Sequence, residues 1–199
     1  MLVGLHGYGD DAERLADRLS GLRGAPYARL WLDGPFPIEV KEEGSRRIGR
    51  AWYQYDGDQG RFRDALSAGR DHVERVVDTV AAGHPVAADH AVLLGYSMGG
   101  YLAGWAGLQA PERWLGVVAL ATRVKAEALD PAAVAGQRLL VVHGEHDRFI
   151  GVDRARESAE AVGAMGAEVT VHAWGGGHGL KPEVAAVVDP WVREVLGVD

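Results

Sequence analysis

The chain has 199 residues, of which 47% are hydrophobic, 25% charged and 8% aromatic, a balance that excludes a disordered or fibrous protein and fits one folded domain over residues 1–199. A formal net charge of -7, from 21 basic and 28 acidic residues, sets the overall field against nucleic acid and an anionic membrane surface. Cysteine is absent, which excludes a disulfide framework, a thiolate metal site and a Cys nucleophile, whereas the 28 glycines are about twice average usage and call for tight turns.

The N-terminal residues Met1 to Gly7 run directly into Asp10 and Asp11. With no basic segment followed by a long apolar one, neither a signal peptide nor a membrane insertion is expected, and the expected location is cytoplasmic. From there, short apolar runs alternate with amphipathic stretches. The runs predict six strands, at 2–6, 28–32, 91–95, 115–121, 139–143 and 168–174, and the stretches between predict helices at 12–20, 63–82, 98–109, 153–164 and 182–196. This alternation is that of an α/β protein whose parallel sheet is covered by helices on both faces. The second helix has its apolar stripe in Leu66, Val73, Val76, Val77 and Val80, and Pro111 ends the third. One segment breaks the rhythm. Residues 33–60 carry Pro35, Pro37, the charged run Lys41-Glu42-Glu43 and then Trp52-Tyr53-Gln54-Tyr55, and are expected to form a long loop that is functional or mobile.

Candidate chemistry sits where the predicted strands end. Gly95-Tyr96-Ser97-Met98-Gly99 follows an apolar run and opens a helix, which is the strand, turn and helix setting of a nucleophile elbow, so Ser97 is the expected nucleophile. A serine hydroxyl needs a base to take its proton and a third group to orient that base. After the fifth strand the chain reads Gly144-Glu145-His146-Asp147, and after the sixth Gly175-Gly176-Gly177-His178-Gly179. Asp147 and His178 therefore fall at the carboxyl ends of adjacent strands, in the order Ser, acid, His that such folds use, with Glu145 as the alternative acid. The oxyanion donors are expected to be the backbone N–H of Met98 and that of Tyr8, in the glycine-bearing loop after the first strand. His6 is expected to hold that loop. His143-x-x-His146-Asp147 lacks a distant third ligand, so no metal site is expected.

Taken together, Leu5-His6-Gly7-Tyr8-Gly9-Asp10, Ala51-Trp52-Tyr53, Gly95-Tyr96-Ser97-Met98-Gly99-Gly100, His143-Gly144-Glu145-His146-Asp147 with Ile150, and Gly177-His178 resemble the α/β-hydrolases of the phospholipase/carboxylesterase family, which includes acyl-protein thioesterases. The resemblance implies an α/β-hydrolase fold in which a compact six-stranded parallel sheet of order 2-1-3-4-5-6 carries the elbow, with no large cap domain. It further implies a monomeric or homodimeric serine esterase without a cofactor, acting on a small-molecule carboxylic ester or thioester through an acyl-enzyme. Trp52, Tyr53, Met98, Phe149 and Ile150 are expected to line an apolar pocket for a short or medium acyl chain. The same residues leave open a thioesterase or a peptidase, and a noncatalytic binding protein on this fold. That last role would not need Ser97, Asp147 and His178 held in register.

Overall fold

The structure, a computed structural model, describes residues 1–42, 44–85 and 88–199. In chain order the elements are β1 (Leu2–Leu5), α1 (Ala12–Arg18), β2 (Arg29–Leu32), β3 (Phe36–Glu42), β4 (Ser45–Ala51), α2 (Gln59–Gly83), β5 (Ala91–Tyr96), α3 (Met98–Gly107), β6 (Trp114–Leu120), α4 (Pro131–Val134), β7 (Arg138–Gly144), α5 (Val152–Ala164), β8 (Glu168–Trp174) and α6 (Pro182–Leu196). Among the described residues six strands form one parallel sheet in the order β2-β1-β5-β6-β7-β8, which is the expected order 2-1-3-4-5-6 with the strands renumbered.

The continuous apolar runs of the central strands follow from burial on both faces. In β5, β6 and β7 successive side chains alternate between two cores: Leu93, Val117 and Val141 join the layer with Leu66 and Val73 of α2 and Leu102 of α3, while Leu94, Val118 and Val142 join Leu15 of α1 and Val188 and Val192 of α6. Strand β8 is an edge, and Glu168, Thr170, Val171 and His172 are exposed along it. The chain reverses its winding direction between β1 and β5, so the loops leaving these two strands face each other across the switch point where α/β sheets place their sites. Among the described residues no helix is long and apolar enough to cross a membrane.

The expected long loop at 33–60 is corrected by the structure. Its first half is a two-stranded antiparallel ribbon in which β3 and β4 pair from Phe36 opposite Ala51 to Glu42 opposite Ser45. Pro37 and the charges hid it: only Ile38 and Val40 alternate with polar residues on the first arm, and the second arm reads Ser45-Arg46-Arg47-Ile48-Gly49-Arg50. The second half begins α2 four residues earlier than expected, because the Asp58 carboxylate caps the helix by accepting the Arg61 N–H at 2.8 Å.

Candidate active site

The sharp turn from β5 into α3 puts Ser97 at φ 52° and ψ -112°, a left-handed region that a β-carbon-bearing residue adopts only when its surroundings hold it there. Two glycines make the turn possible by close approach. A β-carbon on Gly95 would strike the backbone of Gly99, and one on Gly99 would strike the carbonyls of Leu5 and His6. The turn is tied on either side: the Ser97 N–H donates to the Leu120 carbonyl at 2.8 Å and the Gly99 N–H donates to the His6 carbonyl at 3.1 Å.

Ser97, His178 and Asp147 come together in one chain of hydrogen bonds. The His178 Nε2 lies 2.9 Å from the Ser97 Oγ, and its Nδ1 lies 2.7 Å from Asp147 Oδ2. An ionised carboxylate can only accept, so the proton sits on Nδ1 and Nε2 is left to accept from the Ser97 hydroxyl. The other Asp147 oxygen accepts the N–H groups of Phe149 at 2.8 Å and Ile150 at 3.0 Å. Burial pushes the Asp147 carboxyl up, but the bonds from His178, Ile150 and Phe149 outweigh it and hold the group below its ordinary value. Glu145, the alternative acid, is exposed, and among the described residues its side chain makes no hydrogen bond to the site; its backbone N–H donates to the Trp174 carbonyl at 2.9 Å. The acid loop and the histidine loop are sewn together by that bond and by the His146 N–H donating to the Gly176 carbonyl at 2.8 Å.

Among the described residues the amides of Tyr8 and Met98 donate to no protein acceptor, whereas their neighbours Gly9, Asp10 and Gly99 all do. The loop that carries Tyr8 is braced from two directions. From outside, the ribbon pairs with it, the Gly9 N–H donating to the Arg50 carbonyl at 2.9 Å and the Arg50 N–H to the Asp10 carbonyl at 2.8 Å. From inside, the buried His6 ring holds it: the Gly34 N–H donates to Nε2 at 3.0 Å, which leaves the proton on Nδ1 to donate to the Gly7 carbonyl at 2.7 Å. Burial lowers the His6 pKa, the Gly7 bond and nearby carboxylates opposing it.

The pocket expectation is corrected in part. Phe149 and Ile150 line the cleft at Ser97, which has a volume of about 450 Å³, but Trp52 and Tyr53 do not. Trp52 is 0% exposed and acts as a strut: its Nε1–H donates to the His6 carbonyl at 2.8 Å, the same oxygen that accepts from Gly99. Tyr53 packs edge-on against Phe62 at 5.3 Å between ring centroids. The partly buried Met98 side chain packs against the same core. In place of these aromatics the cleft wall carries Asp10, Arg14, Arg18, Glu42 and Arg47, from the first loop, α1 and the ribbon. Arg14 and Arg18 could have been found from sequence, since a spacing of four directly after a candidate oxyanion loop puts them on one helix face. Arg47 could not be placed without the ribbon. Tyr96 was also missed: its hydroxyl donates to the His178 carbonyl at 3.1 Å, and the position looks free in the G-x-S-x-G pattern.

A parallel sheet of this order, helices on both faces, a strained serine turn at the switch point and no large cap define an α/β-hydrolase. A family model described as phospholipase/carboxylesterase matches residues 1–192, and the chain belongs to that family. Solved structures agree. A carboxylesterase from Mesorhizobium loti is 26% identical at a TM-score of 0.76, over 96% of this chain and 87% of that one. The Bacillus cereus carboxylesterase is 21% identical at 0.75, over 98% and 88%, and Arabidopsis thaliana SOBER1 is 17% identical at 0.76, over 98% of each chain. No curated protein sequence matches. Family and neighbours together support a hydrolase of the esterase kind.

Proposed function

We propose that the protein is a serine esterase that cleaves carboxylic esters of short or medium acyl chain through an acyl-enzyme. The observation that carries this reading is the unbroken line from Ser97 Oγ through His178 to Asp147, 2.9 Å and 2.7 Å in its two links, beside two backbone amides that have no protein partner among the described residues. In the proposed reaction His178 Nε2 takes the Ser97 proton as Oγ attacks the ester carbonyl carbon. The oxyanion that forms accepts from the N–H groups of Tyr8 and Met98, and Asp147 stabilises the imidazolium. His178 then gives its proton to the departing alkoxide, leaving the acyl group on Ser97. Water attacks that ester in turn, losing a proton to His178, and the proton returns to Ser97 as the acid leaves. No step needs a metal or a cofactor, and the reacting partner is a small-molecule ester.

The cleft wall bears on chain length. With charged groups of α1 and the ribbon on one side, and Phe149, Ile150, Val40 and the rings of Tyr8 and Tyr96 as its apolar surface, the cleft suits a short chain: a long alkyl chain would desolvate guanidinium and carboxylate groups without replacing their partners. A p-nitrophenyl ester series from acetate to palmitate tests the proposal. Turnover is expected to peak at or below medium chain length, and Ser97→Ala to lower kcat by about 10⁵-fold or more. Wild-type rates no better than those of the alanine variant on every ester would end the esterase reading.

A further inference from the structure

We propose that the charged wall of the cleft is a subsite for a carboxylate, and that the ester this enzyme takes carries such a group besides its scissile bond. The inference rests on the serine esterase reading for the reacting atoms, while the binding of the anion stands on the wall itself. In a chain of formal net charge -7, three arginines line one cleft with Ser97 and His178. Arg14 and Arg18 project from one face of α1, and Arg47 comes from β4. Two carboxylates, Asp10 and Glu42, line the same cleft, and with the neighbouring Asp11 they match the three arginines charge for charge. Asp11 lies beside it, 3.8 Å from Arg14 and 3.9 Å from Arg47.

These partners leave much of the donor capacity unused. Each guanidinium offers five N–H groups in a planar fork. Among the described residues Arg18 uses Nε, on Asp10 at 3.1 Å, and Arg47 uses Nε, on Glu42 at 2.6 Å. Arg14 meets Glu42 and Asp11 only at ion-pair distances of 3.4 Å and 3.8 Å. The Arg47 Nη1 is buried, 3.9 Å from Asp11 Oδ2, with no hydrogen-bond partner among the described residues. A fork with free parallel donors fits a carboxylate bidentately, and with the charges of the wall already balanced it is these donors, rather than a net positive field, that select a monoanion over a dianion. The wall is also close to the chemistry: the Arg18 guanidinium lies 6.0 Å from the centre of the Tyr96 ring, which lies 5.5 Å from the His178 ring. One aromatic ring thus separates the anion subsite from the base. The bland reading of the three arginines is that they only fasten the ribbon to α1, and that reading predicts no preference among substrates.

The test compares matched esters. The neutral p-nitrophenyl butyrate is set against p-nitrophenyl hemiglutarate, whose carboxylate is on the acyl side, and phenyl butyrate against 3-carboxyphenyl butyrate, whose carboxylate is on the alcohol side. One anionic ester is expected to exceed its neutral match in kcat/KM by about tenfold or more, which also tells the side. The advantage should shrink as salt rises and fall to about one in Arg18→Gln and in Arg47→Gln. Glutarate binding to the Ser97→Ala protein, followed by calorimetry, reads the subsite without catalysis, and it should weaken in the Arg18→Gln background. Equal or poorer turnover of both anionic esters, a ratio that neither arginine variant moves, or no binding of glutarate overturns the subsite. If glutarate binds but no ester is hydrolysed above the Ser97→Ala rate, the subsite stands and the esterase reading is what fails.

Discussion

The two sides of the cleft are built from different material. On the side of Ser97 and His178, backbone packs on backbone: the elbow glycines leave no room for a β-carbon, and the loops after β7 and β8 are joined by main-chain bonds. On the side of α1 and the ribbon, ion pairs between long side chains form the surface, and among the described residues the ribbon is tied to the first loop by the main-chain bonds between Arg50 and the loop of Gly9 and Asp10. The difference separates two tasks. Backbone at close approach holds atoms to the fractions of an ångström that proton transfer requires, whereas side chains on a ribbon can be exchanged without disturbing the sheet.

The largest test of the first side is its acid. Asp147→Asn presents an amide to His178 Nδ1, and the wrong tautomer then leaves Nε2 protonated and unable to accept from Ser97. Loss of kcat by about 10⁴-fold is expected, against little change for Glu145→Ala. The reverse pattern in steady-state kinetics would move the acid to Glu145. A pair of glycine substitutions next sets the two sides against each other. Gly99→Ala drives a methyl into the carbonyls of Leu5 and His6, at the junction of β1 with α3, and should cost about 3 kcal/mol or more of stability. Gly49→Ala drives one into the Gly9 carbonyl, which the ribbon can relieve by lifting away. Thermal melting should therefore fall less for Gly49→Ala. Its kcat should still drop, by up to the roughly hundredfold that loss of one oxyanion donor brings, because the Tyr8 loop loses its outer brace. Equal melting temperatures for the two variants would erase the distinction drawn between the sides.

The same division explains what could be read from the amino acids alone. Strands β5 and β6, and β7 from Leu139 to Val142, are runs without a charged residue because both faces are covered, and the elbow and the two later loops announce themselves by glycines close to Ser97, Asp147 and His178. Backbone that must pack closely leaves a mark in composition. The ribbon leaves almost none, since its arms are half exposed and their alternation is broken by Pro37 and by the arginines at 46 and 47. Trp52 shows the converse failure. An aromatic beside a candidate site reads as pocket lining, and only the position of the His6 carbonyl reveals that its indole N–H is used inward.

His6 offers a pH test of the brace. Its folded pKa is lowered chiefly by burial, so the folded state disfavours the protonated ring. A group depressed in this way contributes stability that is complete above its unfolded pKa, about 6.5, and is lost as pH falls toward the folded value. Protonation places a hydrogen on Nε2, facing the Gly34 N–H that donates to it. Stability measured by denaturant titration should decline below about pH 6.5 with a slope from this residue of at most about 1.4 kcal/mol per pH unit. His6→Gln, which has no proton to gain, should flatten that stretch of the curve. An unchanged slope in the variant would assign the acid sensitivity to other groups, and not to Asp147, whose own contribution persists until pH drops into the ordinary carboxylate range and below.

The smallest effect probes the seam between the two sides. Tyr96 packs its ring between Arg18 and His178 and donates its hydroxyl to the His178 carbonyl at 3.1 Å. Tyr96→Phe keeps the ring and removes the bond. A neutral hydrogen bond of this kind is worth about 1 kcal/mol, so stability should fall by no more than that. The kinetic effect depends on what the bond does. If it fixes the height of the imidazole above Ser97, kcat should fall by about fivefold with KM unchanged, since alignment with the nucleophile matters only as the transition state forms. If the residue serves the charged wall instead, by stacking under Arg18, the phenyl ring preserves that contact and neither constant should move. A rise in KM alone would contradict both roles, because it would place the Tyr96 hydroxyl in contact with the bound ester.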